Sequence, residues 1–192
     1  MNLFILHKNA MESARAHGDK HVIKMLLEAC QMLYTAHWTT AHPTLLECKS
    51  AVALSKFQKT LPLPSYLEEA PKRKNGEKGF RPVHVHHPCT QWVRASLQNY
   101  LYTCQLAMAL ADEYEYRWSG KGAHECKKHA RWLYENPPDI AQKGLDQFAI
   151  AMDDEYRISS DPIVCYRHYY KTSKKERGLM TYTKRTIPFF LV

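Results

Sequence analysis

Three polar side chains interrupt the otherwise apolar stretch "GDKHVIKMLLEACQML", Gly18 to Leu33. At about 100° per residue, His21, Lys24 and Glu28 fall within roughly 60° of one another on a helix surface and share one stripe. A glutamate partly shut away from water can hold a raised pKa and move protons, or, when ionised, stabilise a developing cation. The same spacing also describes an exposed face in which Lys24 and Glu28 form an i, i+4 ion pair. Lys24 becomes a candidate amine nucleophile if desolvation lowers its pKa.

Other polar clusters point away from chemistry. In "HVHHP", alternation puts His84 and His86 on one face beside His87, but no third ligand stands at a recognised spacing, so no metal is expected. The glycines of "GEKGFRP" and "GKGAH" do not match the phosphate-cradling G-x-x-x-x-G-K-[ST] pattern, and nothing calls for a cofactor. Six cysteines fall singly, without a C-x-x-C pair or a leading signal peptide. They read as buried apolar thiols in a reduced, cytoplasmic setting.

Lysine and arginine number 27 against 19 acids, a formal charge of +8, which suits a polyanion such as DNA. The cations gather in two places. "PKRKNGEKGFRP", residues 71–82, carries Lys72, Arg73, Lys74, Lys78 and Arg81 with two glycines and two prolines, the composition of a mobile basic loop. The tail from 171 to 192 is basic and weakly patterned, with Lys171, Lys174 and Lys175 following an aromatic run. Together with Arg94 these side chains are candidate DNA contacts, since cations neutralise phosphates while Tyr and Trp stack on unpaired bases. A solvated basic face has the same composition, and Tyr166, Tyr169 and Tyr170 suit a core equally well.

The elements that must position these groups are mostly helical. "MNLFIL" is a short apolar extended segment tucked against the body; "NAME" caps a short helix from Asn9, and the next helix runs from about Asp19 to Ala36. "TLLECKSAVALSKFQ" forms an amphipathic helix after Pro43, and a long central helix runs from Trp92 to about Arg117. "HECKKHARWLYEN" and "SDPIVCYRHYY" form two more, the last with Asp161 as cap and Pro162 in its first turn. At 192 residues, with few strand signals, the expectation is one mainly α domain, a compact helical bundle with a basic loop and an irregular C-terminal tail. No apolar run approaches the ~20 residues of a membrane span. The oligomeric state is left open.

Taken with its surroundings, the stripe resembles the pyrimidine-dimer DNA glycosylase/AP-lyase family of phages and bacteria, the endonuclease V type. "DKHVIKMLLE" gives Asp19, His21 and Glu28 at the spacing of that family's Asp-x-His helix start and catalytic glutamate. "HHPCTQW" and "DPIVCYRHYYK" resemble two further stretches, and the order of the pieces agrees over most of the chain. The resemblance implies an N-terminal α-amine that attacks the sugar C1′, with Glu28 stabilising the cationic sugar and His21 orienting the site or touching a phosphate. The physics favours that amine: a pKa near 7.7–8.0 against about 10.4 for lysine makes it roughly 300-fold more available as free base at neutral pH. Asn2 is too large for efficient removal of Met1, so the expected nucleophile is Met1, and the family's arginines flanking the glutamate fall here on Leu27 and Gln31. The expected function is excision of a damaged or modified pyrimidine. Its rivals are a non-catalytic DNA-binding protein on the same scaffold and another base- or nucleotide-modifying enzyme.

Overall fold

Asn9 caps the first helix, α1 (Ala10–Ala16), its side-chain oxygen accepting the Glu12 amide at 3.1 Å and satisfying a donor that a helix start leaves free. The computed structural model describes residues Met1–Val192 and contains six further α-helices: α2 (Asp19–Ala41), α3 (Ala51–Phe57), α4 (Pro88–Ala95), α5 (Leu97–Arg117), α6 (Cys126–Glu135) and α7 (Pro162–Tyr169). There is no sheet; Lys72 and Lys78 form an isolated bridge. The mainly α expectation holds. The long helices α2 and α5 pack against each other, with α1, α4 and α6 around them. No helix is long and apolar enough to cross a membrane.

Several boundaries depart from the pattern. Helix α2 continues past Ala36 to Ala41, with the hydroxyls of Thr39 and Thr40 bonded back to carbonyls one turn earlier, and it stops at His42, ahead of Pro43. The segment after Pro43 is not one helix: a short 3-10 turn (Pro43–Glu47) precedes α3, which Ser50 caps by accepting the Ala53 amide. The long central helix is likewise broken, at Ser96, which is extended. Its hydroxyl accepts the Asn99 amide and donates to the Gly144 carbonyl, while the Asn99 side chain donates to the Trp92 carbonyl. Side chains thus supply the bonds that an unbroken helix would have made between its own peptides.

The tail differs most from expectation. Helix α7 runs on through a π turn (Tyr170–Lys174), and the chain then folds back across the start of α2. Asp19 donates its amide to the Thr181 carbonyl, and its carboxylate accepts from the Thr183 amide and hydroxyl. Gly18 lies so close that a Cβ there would stand 3.0 Å from the Leu179 carbonyl oxygen. Far from being free, the tail is docked. The 71–82 loop is also bonded to itself, by Arg73 and Glu77 and by the Gly79 amide to the Pro71 carbonyl. Gly79 has φ +58° and meets the Tyr34 ring, so only glycine fits that turn without strain.

Four histidines are enclosed in the core. Burial holds His17 and His129 at pKa values of about 4, and His21 and His37 at about 3. Such groups stay neutral in the fold and charge in the unfolded chain near pH 6.5, so their contribution is complete above 6.5 and is lost as pH falls toward their folded values. Stability should fall below pH 6.5 by about 1.4 kcal/mol per pH unit for each histidine. Urea unfolding at pH 7.5 and 5.5 measures this; equal free energies at the two values would refute it.

Candidate active site

The N-terminal segment is an internal strut. Leu3, Phe4, Ile5 and Leu6 are all buried, and the Asn2 side-chain oxygen accepts from the amides of Leu3 and Phe4 in a tight local turn. Phe4 has φ +46°, a strained setting for a side-chain-bearing residue. Its ring explains why that setting persists, for it is boxed by His21, Tyr166, Tyr169 and Tyr170 at centroid distances of 5.1 to 6.0 Å. The Asn2 amide group donates to the Ala151 carbonyl at 2.6 Å, so the long segment between α6 and α7 also holds the terminus.

This strut ends at Glu28. The Asn2 backbone N–H donates to Glu28 Oε2 at 2.6 Å, and the Met1 α-amine stands 3.9 Å from the same oxygen. Lys24 Nζ lies 3.5 Å from Oε1. The carboxylate is nearly buried, 8 % exposed, between two cations. Met1 buries its side chain, and Thr90 donates to its sulfur at 3.6 Å; the residue as a whole is only partly buried, so its remaining exposure is on its backbone. An amine beside an enclosed acid, anchored by the backbone bond of the next residue, is a pair suited to nucleophilic attack with proton transfer.

The other expected site residues divide. Lys24 is 65 % exposed at its side chain, which reaches Glu28 from the solvent side. His21 does not face a phosphate: it is buried between Phe4 and Tyr170, each 5.1 Å away, and burial leaves it neutral. Its contact with the N-terminal strut is through the Phe4 ring. Lys174 is corrected too; it is buried, its ammonium 4.6 Å from the Tyr169 ring centroid and 5.4 Å from that of Phe4, closing the aromatic box instead of meeting solvent. Lys171 and Lys175 are exposed but reach the carbonyls of Val192 and Leu191. Arg94 is half-buried and donates to the Val85 carbonyl, and Lys78 pairs with Glu68 at 2.6 Å. Lys72, Lys74 and Arg81 are exposed, and Arg81 lies over the Trp38 ring.

Sequence reasoning did not single out Asn2, Cys89 or His87 as site residues. Cys89 Sγ lies 3.7 Å from the Asn2 oxygen, and burial pushes its thiol up to about 11, so it packs the site without being a nucleophile. His87 caps α4, accepting the Cys89 amide, and burial, then the positive Met1 amine, keep it below its ordinary value. The available signal was "HHP": a cap followed by proline at a helix start, placed against the N-terminus. No three His, Cys, Asp or Glu side chains converge where they could hold a metal ion. No family model, curated protein or solved structure matches the chain.

Proposed function

We propose that the protein excises damaged or modified pyrimidines from DNA as a glycosylase with AP-lyase activity. The observation that carries this reading is the Met1 α-amine 3.9 Å from the enclosed Glu28 carboxylate. The amine attacks C1′ and the base departs with the glycosidic electron pair, taking up a proton. The sugar ring opens to an iminium between the α-nitrogen and C1′; loss of a C2′ proton then expels the 3′ phosphate, and water releases the amine. Glu28 supports the reading at two points, stabilising the cationic sugar and relaying protons.

Borohydride reduction in the presence of an abasic oligonucleotide tests it. The expected result is a covalent adduct whose mass maps to the N-terminal peptide. An adduct on the peptide holding Lys24 would displace Met1 as the nucleophile. Turnover of modified oligonucleotides without any adduct would favour another base-modifying reaction, and salt-sensitive binding with neither would leave a non-catalytic DNA-binding protein.

A further inference from the structure

The cations that sequence reasoning left unassigned lie on and just before α6, facing the 71–80 segment across a continuous groove. One cavity of about 700 Å³ is lined by Arg73, Lys74, Lys127, Lys128, Arg131 and Trp132. A second, of about 600 Å³, shares Arg73, Lys74 and His124 with it and extends past Lys121, Phe80 and Tyr114 to Leu27, the neighbour of Glu28 on α2. The groove thus runs from α6 to the helix that carries the candidate acid.

Charge in the groove is only partly neutralised from within. Lys127 pairs with Asp112 and Glu115, and Arg73 with Glu77. Two further carboxylates line the first cavity, Glu125, which accepts the Lys74 backbone amide at 2.6 Å, and Glu135, against its five cations. Lys74, Lys121 and Arg131 are exposed and have no carboxylate within ion-pair distance. By contrast, residues 139–161, the irregular segment between α6 and α7, hold six acids against two cations. Lys74, Lys121 and Arg131 therefore leave the groove with positive charge that no ion pair within it neutralises.

Aromatic rings accompany the cations. Trp132 is half-buried, one side stacked on Tyr34 at an interplanar angle of 7°, and it lines the groove; Phe80 lies under the Arg73 guanidinium at 5.1 Å. Stacking on rings and on a guanidinium plane is open to unpaired bases and closed to bases held inside a duplex.

We propose that this groove binds a single strand of DNA. The proposal rests on DNA being the partner and is independent of the chemistry at Met1. A fluorescent undamaged oligonucleotide, titrated as a single strand at 0.05 and 0.2 M salt, tests it with the triple variant Lys74→Ala, Lys121→Ala, Arg131→Ala. These side chains make no ion pairs, so the fold is kept, as circular dichroism will show. Losing three phosphate contacts lowers the salt slope by about 2, so the fall in affinity between the two salt concentrations becomes about twentyfold smaller than in the unaltered protein. Photocrosslinking to a halogenated pyrimidine in the same strand should mark the peptide containing Trp132.

An unchanged salt slope, crosslinks confined to other peptides, or displacement of the strand by an equal concentration of duplex would each overturn the groove assignment. Tighter binding of an RNA strand of the same sequence would overturn DNA as its occupant. Trapping on abasic DNA, read in parallel, separates the two claims. Adduct formation with an unchanged salt slope sinks the groove alone; groove-dependent binding without adduct sinks the excision chemistry alone.

Discussion

Glu28→Gln should slow adduct formation with an abasic oligonucleotide by about 10²–10³-fold while leaving the protein folded. Glutamine keeps the shape of the side chain and an oxygen able to accept the Asn2 N–H, which now approaches Oε2 at 2.6 Å, so the strut that carries the N-terminus stays in place. What disappears is the negative charge beside the Met1 amine and the group that can carry a proton. The aromatic box around Phe4, the Asn2–Ala151 bond and the buried Met1 side chain are untouched. Thermal unfolding within a few degrees of the unaltered protein would confirm that only chemistry was removed. A rate within threefold of the original, in a folded variant, would show that the acid is structural and that the excision reading is mistaken.

The parts of this site that could be read from the sequence are those governed by local rules. Asn9 and Asp161 cap helices, Pro88 and Pro162 open them, and offsets of three and seven put His21, Lys24 and Glu28 on one stripe. The burial of Leu3, Phe4, Ile5 and Leu6 followed from their unbroken apolarity. What escaped depends on partners far away in the chain. The break at Ser96 is hidden because the apolar spacing continues on both sides, while the bonds that permit it come from Ser96, Asn99 and the Gly144 carbonyl.

Lys174 looks like a tail cation until Phe4 and Tyr169, from opposite ends of the chain, surround it. His21 reads as a residue that orients the site or touches a phosphate until Phe4 and Tyr170 cover it. The α6 cations sit at spacings that describe any solvated helix face, and only the fold sets them opposite the 71–80 segment. The tail was misread for a similar reason, since its order comes from Asp19, Glu113 and the Gly18 backbone and not from a pattern of its own.

The same long-range order supplies the largest stability effect. Arg117, at the last position of α5, is fully buried; its Nε donates to Glu113 at 2.7 Å, Nη1 to Asp19 at 2.9 Å and Nη2 to the Arg15 carbonyl at 3.0 Å, with Tyr182 at 5.6 Å from the guanidinium carbon. One side chain thereby joins α1, the first residue of α2, α5 and the tail. Arg117→Met keeps the aliphatic bulk but leaves the buried Glu113 and the partly exposed Asp19 short of their shared partner, a change that costs about 3–5 kcal/mol. Glu113 retains Arg185 and Asp19 retains Thr183, which argues for the lower end of that range. Removing the exposed Arg15–Glu12 pair by Arg15→Met should cost under about 1 kcal/mol.

The pH dependence identifies the cause. Burial opposes ionisation of Asp19 and Glu113. Hydrogen bonds from Thr183 and Arg117 in the first case, and from Arg185 and Arg117 in the second, outweigh it and hold both carboxyls below their ordinary range. A depressed folded value means that the contribution is complete above about pH 4, the unfolded carboxylate range, and is lost as pH falls toward the folded values. The urea-derived stability gap between the unaltered protein and Arg117→Met should therefore be full at pH 7 and narrow below pH 4; His21, His37 and His129, whose values owe nothing to Arg117, titrate in both proteins and cancel. A gap below 1 kcal/mol at pH 7, or one that stays constant into acid, would show that the tail and the start of α2 are held by packing instead of by this buried cation.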